Sequence, residues 1–176
     1  RVQNEEGQIL FSSGKMNADG SIEGNDNDRD HRQFEPHYNR ISSSEQVQIY
    51  EAIMVDPNDE VTTVLLSAIR YIKDNRILPD GFDKATADND IAVQGRAYQD
   101  DDFLSGDDLI EYDLELPGAD GPLTIVAELW YQPIAFRWAR NLMRQPSEEA
   151  ERFSAYYDSL SNRSAIVLAR DSAKAR

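Results

Sequence analysis

Two runs of alternation, 110–116 and 123–131, constrain this chain more than anything else in it. Ile110, Tyr112, Leu114 and Leu116 interleave with Glu111, Asp113 and Glu115, and Leu123, Ile125, Ala127, Leu129 and Tyr131 resume the period after Pro117-Gly118-Ala119-Asp120-Gly121-Pro122. Successive side chains of a strand point to opposite faces, so the first run buries one face and wets the other, and Leu123, Ile125, Ala127, Leu129 and Tyr131 line a second apolar face. The turn-rich connection predicts that the two pair antiparallel.

Weaker signals surround this pair. Residues 1–45 are polar and turn-rich, with Ile9-Leu10-Phe11 the one strand-like run. Val47, Ile49, Ile53 and Val55 predict a strand ended by Asp56-Pro57-Asn58-Asp59. Between 61 and 78 both readings stay open: Leu65, Ala68, Ile69 and Ile72 fit a helical face, whereas Val61-Thr62-Thr63-Val64 favours a strand, the preferred reading. Ile134, Trp138 and Leu142 then stack at helical spacing, with Arg137, Arg140 and Arg144 on another face, until Pro146 ends the helix. Ser147 is placed to cap a second helix, with Glu148 and Glu149 in its first turn and Ala150, Phe153, Tyr157 and Leu160 on one stripe. Ala165-Ile166-Val167-Leu168 reads as a last strand or a continuation of that helix, and the residues after it as a frayed tail.

Strands in the middle and helices at the end, without a βαβ rhythm, predict a mainly β fold: an antiparallel, jelly-roll-like β-sandwich with C-terminal helices. The expected organisation is an acidic, loop-rich segment over 1–45, a sandwich core over 46–145, and a helix and tail over 146–176 packed on the same domain. With 176 residues and no cysteine, the chain has to rely on a conventional core, and its length is sufficient for one.

Charge narrows the partners. Thirty-three acids against 18 bases leave a net charge of −15, which repels phosphate backbones and anionic membrane surfaces. Nucleic acid is excluded as a partner on that ground. Arginine predominates among the bases, as in salt-adapted surfaces or a biased genome. No run reaches the roughly 18 uncharged apolar residues of a membrane helix, so no membrane span is expected. Arg1 opens the chain without a methionine or a signal pattern, so the expectation is a processed or excised piece of something longer.

The chemistry available is that of carboxylates, amides and aromatics. His31 and His37 are the two histidines, and their spacing puts them on no common helical face. Asp19, Glu23, Asp26, Asp28 and Asp30, with Asn25 and Asn27, form a glycine-broken acidic stretch able to offer oxygens to calcium. It is no EF-hand: counted from Asp26, the glycine position is His31 and the twelfth residue is His37. A solvated acidic segment is the competing reading. Asp100-Asp101-Asp102 with Asp107-Asp108 form a second acidic cluster, which either completes a cation site or solvates a sheet edge. Trp130, Tyr131, Phe136 and Trp138 form either a sugar-stacking platform or a corner between sheet and helix. In Lys73-Asp74-Asn75-Arg76, Asp74 and Arg76 are expected to pair across a turn and Asn75 to bond its own backbone. No G-x-S-x-G, Walker loop or G-x-G-x-x-G is present, so no catalytic residue is assigned.

Several blocks together carry a resemblance: Gly20 to Asp30 (GSIEGNDNDRD), Glu35-Pro36-His37-Tyr38, Gln46-Val47-Gln48-Ile49-Tyr50-Glu51, Tyr71 to Pro79 (YIKDNRILP) and Leu129-Trp130-Tyr131-Gln132. Over residues 20–142 they resemble the haem-free C-terminal region of secreted multihaem cytochrome c-type proteins of marine bacteria. No C-x-x-C-H occurs, so no haem attaches here. The resemblance implies a periplasmic or extracellular location, and an upstream domain of the same polypeptide or a redox protein as partner. The expected function is a non-catalytic accessory domain, with calcium as a stabilising ion. A sugar-binding module and a carboxylate-based enzyme acting on polysaccharide are the rivals.

Overall fold

The structure is a computed structural model that describes residues 1–175. In chain order its elements are β1 (Val2–Gln3), β2 (Ile9–Phe11), α1 (Asp26–Arg29), β3 (Arg40–Ile41), β4 (Ala52–Val55), β5 (Val61–Thr62), β6 (Arg70–Asp74), α2 (Arg96–Gln99), β7 (Glu111–Tyr112), β8 (Leu123–Tyr131), α3 (Phe136–Leu142), α4 (Glu148–Ser164) and β9 (Ile166–Ala175). They fall into two compact units, one made of Arg1–Gly24 with Glu115–Arg176, the other of Asn25–Leu114. This division differs from the boundaries at 45/46 and 145/146 expected from composition.

The first unit is built on β8, which forms where expected but does not bury the expected face: Val126 is buried, whereas Ile125, Ala127 and Tyr131 of the 123/125/127/129/131 face are exposed. β8 sits inside a four-stranded antiparallel sheet of order β2-β1-β8-β9. At its start, the Arg1 ammonium donates to the Val126 carbonyl at 2.9 Å. After the sheet crosses to α4, the Ser147 hydroxyl accepts from Ala150 N–H at 3.2 Å, and Glu148, Glu149 and Glu151 complement the positive end of the helix dipole. One close approach fixes the 17–21 turn: Gly20 has φ +88°, and a Cβ there would lie 2.5 Å from the Tyr157 hydroxyl.

The second unit relies more on loops. β4 is central in the antiparallel sheet β5-β4-β6, with Ile53, Met54 and Val55 buried, while β3 and β7 pair in parallel. Leu78, Val93, Ala97 and Phe103 form an apolar cluster, against which Tyr50 and Phe82 pack. Gly95, at φ +77°, enters α2 within 3.0 Å (as measured from a Cβ) of the Ile72 carbonyl, so the chain passes close against β6 and delivers α2 and Asp100 beside it.

Strands outnumber helices and nearly all pair antiparallel, so the mainly β expectation holds at that level. Its details need correction. The run 110–116 forms only β7, which pairs with β3 and not with β8. β8 finds a longer partner in β9, along which nine pairs form from Leu123↔Ala175 to Tyr131↔Ile166. Of the residues expected to fray, 169–175 therefore belong to a ten-residue edge strand, and Arg176 lies outside the described residues. Residues 46–51 are not a strand; pairing begins at Ala52. The ambiguous 61–78 region is two strands joined by a turn, with Val64, Leu65 and Leu66 exposed at its tip. Phe103→Ala should empty the centre of the second unit's apolar cluster and cost about 3–5 kcal/mol, measured as a lower urea midpoint at unchanged m-value.

Candidate functional site

Buried polar residues gather in the second unit, centred on His37. Its side chain has no exposed surface, and that of Asp100 is 1% exposed. The His37 Nε2 lies 2.9 Å from Asp100 Oδ2 and 3.7 Å from Asp108 Oδ1. On the ring's other side, Gln48 Nε2 is 2.9 Å and Asn75 Nδ2 3.0 Å from Nδ1. Phe103 packs edge-on at 5.0 Å between centroids, closing one flank.

Each partner is itself held in place. Asp100 ends α2 and accepts the Asp102 N–H at 3.1 Å through its Oδ1. Asn75 follows β6 and accepts the Glu51 N–H at 2.9 Å. Gln48 accepts the Tyr38 N–H at 2.9 Å. Asp108 Oδ2 accepts the Tyr50 hydroxyl and, at 3.4 Å, Gln48 Nε2, whereas its Oδ1 has no hydrogen-bond partner. Burial first, and then the Asp108 carboxylate, push the Tyr50 hydroxyl well above the usual tyrosine range. Beside this network, the buried Glu35 carboxylate accepts from Tyr38 Oη at 2.7 Å and Asp26 N–H at 3.0 Å, and raises Tyr38 in the same way, after burial. Lys73, also buried, donates to the Ile49 carbonyl at 2.8 Å and Glu51 at 3.2 Å.

Chemically, a histidine beside two carboxylates is the donor set of a divalent-cation site, and His37, Asp100 and Asp108 offer atoms all within 4.8 Å of one another. The same pair of residue types serves general-base catalysis, but a base has to reach a proton on its substrate. The His37 ring is enclosed on every side.

The acids singled out from sequence are distributed differently. Asp19 and Glu23 belong to the first unit, where Asp19 accepts both N–H and O–H of Ser21 and Glu23 pairs with Lys15 at 2.8 Å. Those Ser21 bonds, the hydroxyl foremost, hold the Asp19 carboxyl below the usual range. Asp26 and Asp28 lie in α1, and Asp30 pairs with Arg32 at 2.7 Å, which holds its carboxyl far below the usual range. Only the second acidic cluster contributes to the buried trio, through Asp100 and Asp108. Asp74 and Arg76 pair as expected, at 2.6 Å, while Asn75 bonds the backbone of Glu51 rather than its own. His31 is surface-exposed. Trp130 is 46% exposed, its Nε1 donating to Glu128 at 3.4 Å.

Searches of protein-family models, of curated proteins and of solved structures returned no match to this chain.

The two tyrosines set a pH dependence. In the unfolded chain a tyrosine loses its proton near pH 10, while Tyr38 and Tyr50 keep theirs in the fold, so the folded state binds more protons above that pH and stability falls as pH rises. Urea midpoints should decline between about pH 9.5 and 11.5, and Tyr50→Phe should flatten that decline.

Proposed function

We propose that this chain is a non-catalytic accessory domain of a larger exported protein, which docks or spaces a redox-active portion and transforms no substrate itself. The observation that carries this reading is the enclosure of its best catalytic candidates, since the His37 and Asp100 side chains are 0% and 1% exposed. Among the described residues no other group of three His, Cys, Asp or Glu converges. The jelly-roll-like sandwich expected from the sequence belongs to the same proposal, supported by the antiparallel pairing of the strands within the three- and four-stranded sheets. So does the periplasmic or extracellular location, which rests on the resemblance. With a charge of −15, the natural partner surface is basic, such as the haem-edge face of a c-type cytochrome. Titration of the purified chain with a basic c-type cytochrome at low ionic strength should show binding that weakens steeply with salt. Turnover of a polysaccharide by the purified chain would overturn the proposal.

One observation favours a second reading. Trp130 presents an exposed indole on β8 beside Glu128 and Arg170, whose side chains are 3.4 Å apart, so an aromatic flanked by hydrogen-bonding groups is available to a sugar. Quenching or a blue shift of its fluorescence with oligosaccharide, lost in Trp130→Ala, would support that reading.

Calcium has a narrower place in the proposal, because the Asp19, Glu23 and Asp30 carboxylates already bond Ser21, Lys15 and Arg32. An ion bound by Asp19, Glu23, Asp26, Asp28 and Asp30 would have to displace those partners. The melting temperature is therefore expected to stay unchanged in calcium and in EDTA; a rise with calcium would return the acidic loops to a metal-binding role.

A further inference from the structure

In a neutral imidazole one nitrogen donates and the other accepts, and the neighbours decide which. Both neighbours of His37 Nδ1 are amide nitrogens, Gln48 Nε2 and Asn75 Nδ2. Neither amide is able to turn round. The Asn75 oxygen takes the Glu51 N–H and the Gln48 oxygen takes the Tyr38 N–H, both at 2.9 Å, so reversal would set donor against donor in each case. Gln48 Nε2 also faces a carboxylate oxygen of Asp108 at 3.4 Å, which again requires a donor there. Nδ1 is therefore the acceptor, and the ring proton sits on Nε2, directed at Asp100 Oδ2.

A metal-binding histidine shows the opposite arrangement: its ligating nitrogen is bare, and the other donates N–H to an oxygen. Here the nitrogen that faces Asp100 and Asp108 carries the proton, and the distal nitrogen meets two donors. Asp108 Oδ1, on a side chain only 8% exposed and without a hydrogen-bond partner, completes a ligand set that the ring leaves unused.

We infer that Asn75, anchored by the Glu51 amide and assisted by Gln48, holds His37 in its Nε2–H form and so closes the His37–Asp100–Asp108 cluster to divalent cations. The cluster is a cation site in its spacing and a structural joint in its proton placement. Asn75 decides between the two, because Gln48 Nε2 keeps Asp108 Oδ2 as an acceptor when Nδ1 no longer accepts. An oxygen in place of its amide nitrogen would draw the ring proton to Nδ1 and bare Nε2 toward the two carboxylates.

Zinc ions added to the full chain and to Asn75→Asp test this. In Asn75→Asp one carboxylate oxygen still accepts from Glu51 and the other faces Nδ1. The variant should melt below the wild type without metal, because it adds a buried charge, and zinc at about 100 times its Kd should raise it by roughly 5 °C or more. The wild type should shift by less than about 1 °C under the same conditions. Adding Asp108→Asn should remove the zinc response of Asn75→Asp. A zinc shift in the wild type that Asp108→Asn abolishes would overturn the inference, as would a folded Asn75→Asp chain that ignores zinc. Should that variant fail to fold, ring ¹⁵N spectra of the wild type decide: a bare Nδ1 and a protonated Nε2 support the inference, and the reverse pattern sinks it.

Discussion

A histidine with no exposed surface has to have both ring nitrogens answered from within the protein, and the second unit is arranged around meeting that demand at His37. Leaving a buried polar group without a partner costs about 1–3 kcal/mol, so every segment that approaches the ring contributes one. Gln48 comes from the stretch before β4, Asn75 from the end of β6, Asp100 from the end of α2 and Asp108 from the loop before β7. Two of these side chains also accept backbone N–H groups, of Tyr38 and Glu51, that have no ladder to join. The network thus does for irregular backbone what strand pairing does elsewhere. Glu35 and Lys73 repeat the device alongside it, each buried and each bonded to main chain.

The first unit is held by other means. Its sheet is built around β8, and β9 pairs with β8 along its whole length. Every residue of β9 from Ile166 to Lys174 is exposed, and the strand forms an edge of the sheet. Arg170, Asp171 and Lys174 along it are the charges that keep such an edge from pairing with other chains.

What was legible in the sequence follows from the range over which each signal acts. β8 was readable as a strand from its run of β-formers, though not its buried face, and α4 because Ser147 and its glutamates announce the helix start locally. β7 was misassigned for the converse reason: its partner, Arg40–Ile41, is a two-residue segment far upstream that leaves no periodic trace, while a plausible hairpin partner lay next door. β9 read as a tail because polar residues on an edge strand look like disorder when pairing is unknown. The site was hidden more deeply. Asp100 is 63 positions from His37, and in a chain with 33 acids an aspartate carries no signal of its own. The available clues were amides, Gln48 within an apolar alternation and Asn75 beside a strand end, but both stand where the pattern places polar, solvated side chains.

The account depends on the His37 network being what ties the loops of the second unit together, and amide hydrogen exchange reads that directly. The Tyr38 and Glu51 N–H groups, which donate to Gln48 and Asn75, should exchange in the wild type only as slowly as the unit unfolds globally. In His37→Ala both should lose protection by a factor of about 30 or more, the equivalent of roughly 2 kcal/mol of local stability. If the two amides keep their wild-type protection without the imidazole, the loops are held by something else, and the central claim is wrong.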